Sequence, residues 1–151
     1  KTYEFKPSAG KYYYDGHRKE RHDNKLNYVC SPLLNIKDCP HCNKPLTKGV
    51  LSRVLGLQDQ KNFNNLTFQY IVPLLSLISI ICGGTEYDKR NLLLYDKLTT
   101  NNGGEYKIWE GYSNFRDLPD DLIAAIDKIR KKNFWFIPGY DSIYGKLQFS
   151  I

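Results

Sequence analysis

Methionine is absent from the sequence, and there are only two tryptophans and three histidines in 151 residues. With Lys1 in first position and no initiator residue, the chain reads as a fragment or a processed product. No secretory leader is visible. The longest apolar run, Ile71 to Cys82, falls well short of the roughly 20 residues that cross a bilayer and is broken by Pro73, Ser76 and Ser79, so it reads as a buried helix. Cysteine is sparse at four; without a leader, these fit a reducing compartment better than a disulfide framework. A cytoplasmic location with no membrane association is expected. Acidic residues are outnumbered 16 to 22 by basic ones, leaving a net charge of +6. That surplus attracts nucleic acid or another anionic surface, although it also serves plain solubility.

The stretch around which the chain is organised is Cys39-Pro40-His41-Cys42-Asn43-Lys44-Pro45-Leu46, with Cys30 upstream. Two cysteines with this spacing, followed by a turn, form a knuckle that aims both sulfurs at one ion, and we read it as half of a structural zinc site. The same spacing also serves thiol redox chemistry. Zinc is favoured by the Pro-His pair between the cysteines, by the turn-forming Asn43-Lys44-Pro45, and by the supply of a third cysteine and histidines nearby. Cys30, Cys39 and Cys42 lack a fourth partner, for which His22 is the leading candidate and His17 the second. Cys82 competes, but it closes an apolar helix before Gly83-Gly84 and reads as a small buried hydrophobe.

Tyr3-Glu4-Phe5-Lys6 alternates as a short strand that Pro7 ends. Leu46 to Leu57 reads as a helix with Val50, Leu51, Val54 and Leu55 on one side, and Gln58 to Asn65 as a polar loop. Pro73 opens the central core helix to Cys82, and Glu86 to Leu98 a second helix. Glu105 to Tyr112 alternates as a strand. A third core helix starts near Asp117, acidic at its head and basic at Lys128, Arg130, Lys131 and Lys132, matching the helix dipole; that basic end is also a candidate phosphate contact. The tail runs strand, turn, strand, with Pro138-Gly139 as turn chemistry and Lys146 to Ile151 as the closing strand. The fold class expected is α+β: a zinc-knuckle lobe with the amino-terminal strand over residues 1–55, then a three-helix and short-strand core over 56–151, the two forming one compact unit.

Three stretches in order carry a resemblance: Gly10-Lys11-Tyr12-x-Tyr14-Asp15-Gly16-His17-Arg18; Cys39-Pro40-x-Cys42-x-Lys44-Pro45-Leu46-Thr47-x-Gly49-Val50-Leu51-x-Arg53-Val54; and Pro138-Gly139-Tyr140-Asp141-x-x-Tyr144-Gly145. From Pro7 to Phe149 the chain resembles the region following the catalytic domain in endonuclease Q. These DNA repair enzymes join a PHP-type metal phosphoesterase domain to a zinc-containing region and cut on the 5′ side of deaminated bases such as uracil and hypoxanthine. The resemblance implies a zinc-bearing, DNA-engaging module without its own catalytic centre, since His17, His22 and His41 cannot assemble a site of two or three metals. The implied contacts to DNA, damaged or locally unpaired, are Lys11, Tyr14, Arg18, Arg53, Tyr140, Tyr144 and Lys146, with the Tyr140 to Gly145 loop approaching an exposed base. The sequence departs from its relatives in lacking a cysteine shortly after His17-Arg18 and in carrying Ser52 where they tend to have histidine. Two other readings are a docking domain for a separate PHP-type nuclease and a thiol oxidoreductase using Cys39 and Cys42.

Overall fold

The computed structural model describes residues 2–23, 26–58, 68–111 and 114–150. The class is α+β: six short strands in three two-stranded sheets and five helices, among the described residues. By contacts the chain divides into two units. One comprises residues 1–5, 67–134 and 149–151; the other comprises 6–66 and 135–148. The amino-terminal strand belongs with the helices, and most of the closing hairpin belongs with the Cys/His knuckle.

In the helical unit, β1 (Thr2–Phe5) pairs in parallel with β4 (Phe68–Ile71), Thr2 opposite Phe68 and Phe5 opposite Ile71. The core is made by α2 (Leu74–Cys82) against α3 (Lys89–Asn102) and α5 (Asp120–Arg130), with α4 (Glu105–Glu110) beside α3 and α5. Leu74, Leu77, Ile78, Leu98, Ile108, Leu122, Ile126 and Ile129 are fully buried. Each such side chain contributes about 1.5–3 kcal/mol on leaving water. The central helix is α2, as its composition predicts, although Ile80 on its far side is half exposed. The stretch expected as a strand after Gly104 is the helix α4. Its Glu105 side chain binds the Leu74 amide (2.8 Å), the Trp109 indole one turn on (3.2 Å) and the Tyr95 hydroxyl (3.2 Å). Of the four cations at the basic end of α5, Lys131 and Lys132 are exposed and the other two are used internally. Arg130 donates to the carbonyl of Ile108, and Lys128 to that of Ser150.

In the knuckle unit, β2 (Asp15–His17) pairs antiparallel with β3 (Tyr28–Cys30), and Gly16 exchanges both backbone hydrogen bonds with Thr47. Helix α1 (Val50–Leu57) begins four residues later than its hydrophobic pattern implies. Buried Leu46 and half-buried Thr47 belong to the knuckle, and Gly49 starts the helix because the Asp15 carboxylate accepts its amide at 2.7 Å. The last strands are β5 (Phe134–Ile137) and β6 (Lys146–Phe149), a hairpin as expected. The loop expected at 58–65 lies, past Gln58, outside the described residues. No helix among the described residues is long and apolar enough to cross a membrane.

Candidate metal centre

The knuckle closes through backbone bonds that cysteine and asparagine at these positions permit. The amide of Cys39 donates to the Lys44 carbonyl (2.9 Å), that of Asn43 to the Cys39 carbonyl (2.8 Å), and that of Leu46 to the Lys37 carbonyl (3.0 Å). Asn43 takes a left-handed backbone (φ 53°), which a side chain able to bond locally tolerates best. The turn sets Cys39, fully buried, and Cys42, half buried, beside two histidines brought by β2 and by the short 3-10 turn Lys19–Arg21.

One ligand atom each from His17, His22, Cys39 and Cys42 lies within 4.8 Å of the others. His17 donates from Nε2 to the Pro45 carbonyl (2.8 Å), so Nδ1 is left as a lone pair, 3.6 Å from the Cys42 sulfur. His22 donates from Nδ1 to the Leu26 carbonyl (2.5 Å), which leaves Nε2 3.0 Å from the Cys39 sulfur. Each imidazole is thus held in one tautomer by a backbone carbonyl, with its basic nitrogen facing a sulfur, as metal-ligating histidines are oriented. A tetrahedral zinc with bonds of about 2.0–2.3 Å spaces its ligand atoms by roughly 3.3–3.8 Å, against 3.0 and 3.6 Å for the two facing His–Cys pairs and at most 4.8 Å across the set. The residues fit a cation bound by two nitrogens and two sulfurs, and four protein ligands leave no open position for catalysis. His41, between the cysteines, sets its ring edge-on to His22 (5.6 Å) and to Tyr28 (5.7 Å), partly covering the cluster.

Cys30, expected as a ligand, lies outside this group. Its register opposite Asp15 in the β2–β3 pair puts it in a small buried cluster with Cys39 and Leu46, edged by Tyr28, Ile36 and Cys42. Burial, and then the Asp15 charge, push its pKa up. His17, the second candidate for the fourth place, stands in the group beside His22. Cys82 lies in the helical unit, at the end of α2, and is half buried rather than buried.

Two buried aspartates, neither singled out from the sequence, hold this centre's surroundings. Asp15 accepts from the Gly49 amide (2.7 Å), the Ser52 hydroxyl (2.6 Å) and the Lys48 ammonium (3.0 Å). Burial raises its pKa, but the Ser52, Gly49 and Lys48 bonds outweigh that and leave it below the ordinary value of 3.8. Asp141 accepts from the Arg18 amide, the Arg21 guanidinium and the Thr47 hydroxyl. Sparse acids in a basic chain, each next to a motif glycine or tyrosine, were the available signal.

Of the residues expected to meet DNA, Tyr140 is not available to stack. It is 9% exposed, because its ring lies over Gly16, where an added Cβ would stand 2.6 Å from ring carbon Cδ2. Tyr144 is 65% exposed, with the Lys11 ammonium 5.5 Å from its ring centre. Tyr14 is half buried and stacked on Tyr13, and Arg18 is half buried with Nε 3.8 Å from Glu20. Lys146 is exposed on β6. Arg53 is exposed on α1, where it lines an open cleft of about 490 Å³ with Lys48, Ser52 and Asn35.

No family model matches the chain. An uncharacterized protein of Methanocaldococcus jannaschii is 27% identical in an alignment of 116 residues that covers 74% of this chain and 15% of that protein. The crystal structure of a lesion-specific endonuclease of Pyrococcus furiosus, endonuclease Q, is similar with a TM-score of 0.70 and 21% identity, over 97% of this chain and 37% of that one. A second structure, endonuclease Q in complex with a 27-mer duplex substrate carrying an abasic lesion at the active site, gives a TM-score of 0.64 and 22% identity, over 98% of this chain and 38% of that one. The chain therefore has the fold of a region that makes up less than two-fifths of those proteins.

Proposed function

We propose that this chain is a zinc-stabilised, DNA-binding module of a DNA repair endonuclease acting at deaminated bases such as uracil and hypoxanthine, without a catalytic centre of its own. The observation that carries the reading is the fold likeness over 97% of the chain to a lesion-specific endonuclease, a protein also seen holding a damaged duplex. The closed His17/His22/Cys39/Cys42 set supports a structural rather than a hydrolytic role for the metal. In this reading the exposed cations Lys11, Arg53 and Lys146 meet phosphates, and Tyr144 stacks on an unpaired base. Catalytic metals would belong to a PHP-type domain, in cis or in trans.

The test is fluorescence anisotropy with duplexes containing uracil, hypoxanthine, an abasic site or no lesion, across a salt series. Salt-dependent binding that is tighter to the lesions is expected. Equal affinity for all four would leave a phosphate binder without base recognition, and no affinity would overturn the reading.

A second reading, a docking domain for a separate PHP-type nuclease, is favoured by one observation. Leu33 and Leu34 on the short turn Pro32–Leu34, and Val54 and Leu57 on α1, are each more than half exposed. Failure of the two proteins to co-elute in gel filtration would remove it.

A further inference from the structure

Asp141 is a fully buried charge whose partners all sit beside the residues of the metal centre. Its Oδ2 accepts from the Arg18 amide (2.8 Å) and pairs with the Arg21 Nε (2.7 Å), two residues that lie between His17 and His22 in the chain. Its Oδ1 accepts from the Thr47 hydroxyl (2.9 Å), two residues beyond Pro45, whose carbonyl holds the His17 ring. One carboxylate thus touches the segment that delivers both histidines and Thr47, the residue after the knuckle that bridges to Gly16. Asp141 is itself outside the ligand group.

The same residue fixes the turn that follows it. Asp141 and Ser142 are consecutive non-glycine residues in the left-handed region, with φ of 36° and 74°, a backbone that persists only where its surroundings impose it. The turn is closed by Tyr140 and Ile143 exchanging backbone bonds (2.9 and 2.7 Å). It is tied to the amino-terminal segment through the Ser142 amide on the Lys11 carbonyl (3.0 Å) and the Gly145 amide on the Ala9 carbonyl (2.9 Å). Tyr12 and Ser142 join hydroxyls at 2.6 Å, and Tyr144 lies under Lys11. This turn therefore carries the exposed ring, and it is anchored on a carboxylate that the histidine segment satisfies.

We infer that Asp141 is a positioning residue that couples metal loading to the conformation of the Tyr140–Gly145 turn. With both histidines drawn onto a cation, the Arg18 and Arg21 donors stay where they satisfy Asp141, and the left-handed turn is held. Without it, the histidine segment and the turn relax together. Coupling of this kind is reciprocal, so altering Asp141 must change metal affinity even though its carboxylate coordinates nothing. The inference rests on the metal-stabilised part of the reading above, and its readouts use no nucleic acid, so failed DNA binding leaves it standing.

The test uses the full chain loaded with Zn2+. Zinc affinity is measured by competition with a chromophoric chelator, and amide hydrogen exchange is followed at Ser142 and Gly145 with zinc bound and after chelation. In the wild type, zinc removal is expected to speed exchange at both amides by about tenfold or more, and Asp141→Asn to weaken zinc about 10–100-fold, the scale on which groups supporting a ligand act. Thr47→Val, which removes one donor, should shift affinity in the same direction by less. Glu105→Gln, in the helical unit, is the control for general destabilisation and should leave zinc affinity unchanged. Wild-type affinity in Asp141→Asn, turn amides indifferent to zinc, or an equal loss in Glu105→Gln would each overturn the coupling. If Asp141→Asn does not fold, Thr47→Val decides on the same two readouts.

Discussion

The Nε2 atom of His22 stands 3.0 Å from the sulfur of Cys39, with the opposite ring nitrogen donating to the Leu26 carbonyl at 2.5 Å. A carbonyl behind the ring and a thiol in front of it define a donor aimed at a shared ion. Two such nitrogens and two sulfurs are a set suited to zinc, and the nearby Cys30 thiol is not part of it.

Purified protein is expected to carry about one zinc per chain, measured by plasma emission. Cys39→Ser and His17→Ala should lose or strongly weaken it, because each removes one of four ligands. Cys30→Ser should keep it, since that thiol sits outside the group. Zinc lost in Cys30→Ser from a folded chain, and kept in His17→Ala, would reverse the assignment.

Asp15 gives a pH dependence of definite sign. Its carboxyl titrates below the ordinary 3.8 in the folded chain, so its contribution is complete above that value and is lost as pH falls through the lower, folded one. At pH 6, Asp15→Asn should cost roughly 1–3 kcal/mol, because the Gly49 amide and Ser52 hydroxyl lose a charged acceptor. The exposed arm of the Lys48 pair adds little. Urea denaturation of both proteins should give a constant difference from pH 6 to 5 that shrinks below about pH 4. Since metal ligands also protonate in acid, the difference between the two proteins is the quantity to follow. A gap as wide at pH 3 as at pH 6 would mean that the charge is not its source.

Local patterns were legible in the sequence, and features made by distant partners were not. The knuckle was readable because its spacing is itself the geometry, α2 because it is an unbroken apolar run opened by Pro73 and stopped by Gly83, and α5 because its apolar positions repeat at helical intervals. That His17 and His22 both stand beside Cys39 and Cys42 was not readable, because the place of His17 depends on the register of β2 against β3. Tyr140 looked exposed beside Pro138-Gly139, yet Gly16, far away in the chain, makes the hollow that takes its ring. β4 was missed because its partner is a parallel strand at the other end of the unit. For α4 a signal was present and outweighed by alternation: Glu105 and Trp109, four apart, are bonded in the helix.

That same Glu105 supplies a stability prediction for the helical unit. Its carboxylate accepts the Leu74 amide at the head of α2 and also binds Trp109 and Tyr95; burial and then the Glu105 charge hold the Tyr95 pKa high. Glu105→Ala should cost on the order of 2 kcal/mol by leaving three donors without this partner. A drop in the urea midpoint, followed by the fluorescence of 3%-exposed Trp109, is the check, and an unchanged midpoint would show the network to be dispensable.

The two turn tyrosines should separate binding from folding. Tyr144 is two-thirds exposed, so Tyr144→Ala should leave the urea midpoint and the zinc content unchanged. If it stacks on an unpaired base, the variant should bind uracil-containing duplex more weakly by about 1–3 kcal/mol, or roughly 5–150-fold, in anisotropy titrations. Tyr140 is packed on Gly16, so Tyr140→Ala should instead cost stability, on the order of 3 kcal/mol for emptying a buried aromatic site. Any loss of affinity in Tyr140→Ala should then follow the fraction of protein unfolded. A Tyr144→Ala variant that binds like the wild type would remove base stacking from this turn and leave Lys11, Arg53 and Lys146 as the contacts to test, through the slope of affinity against salt.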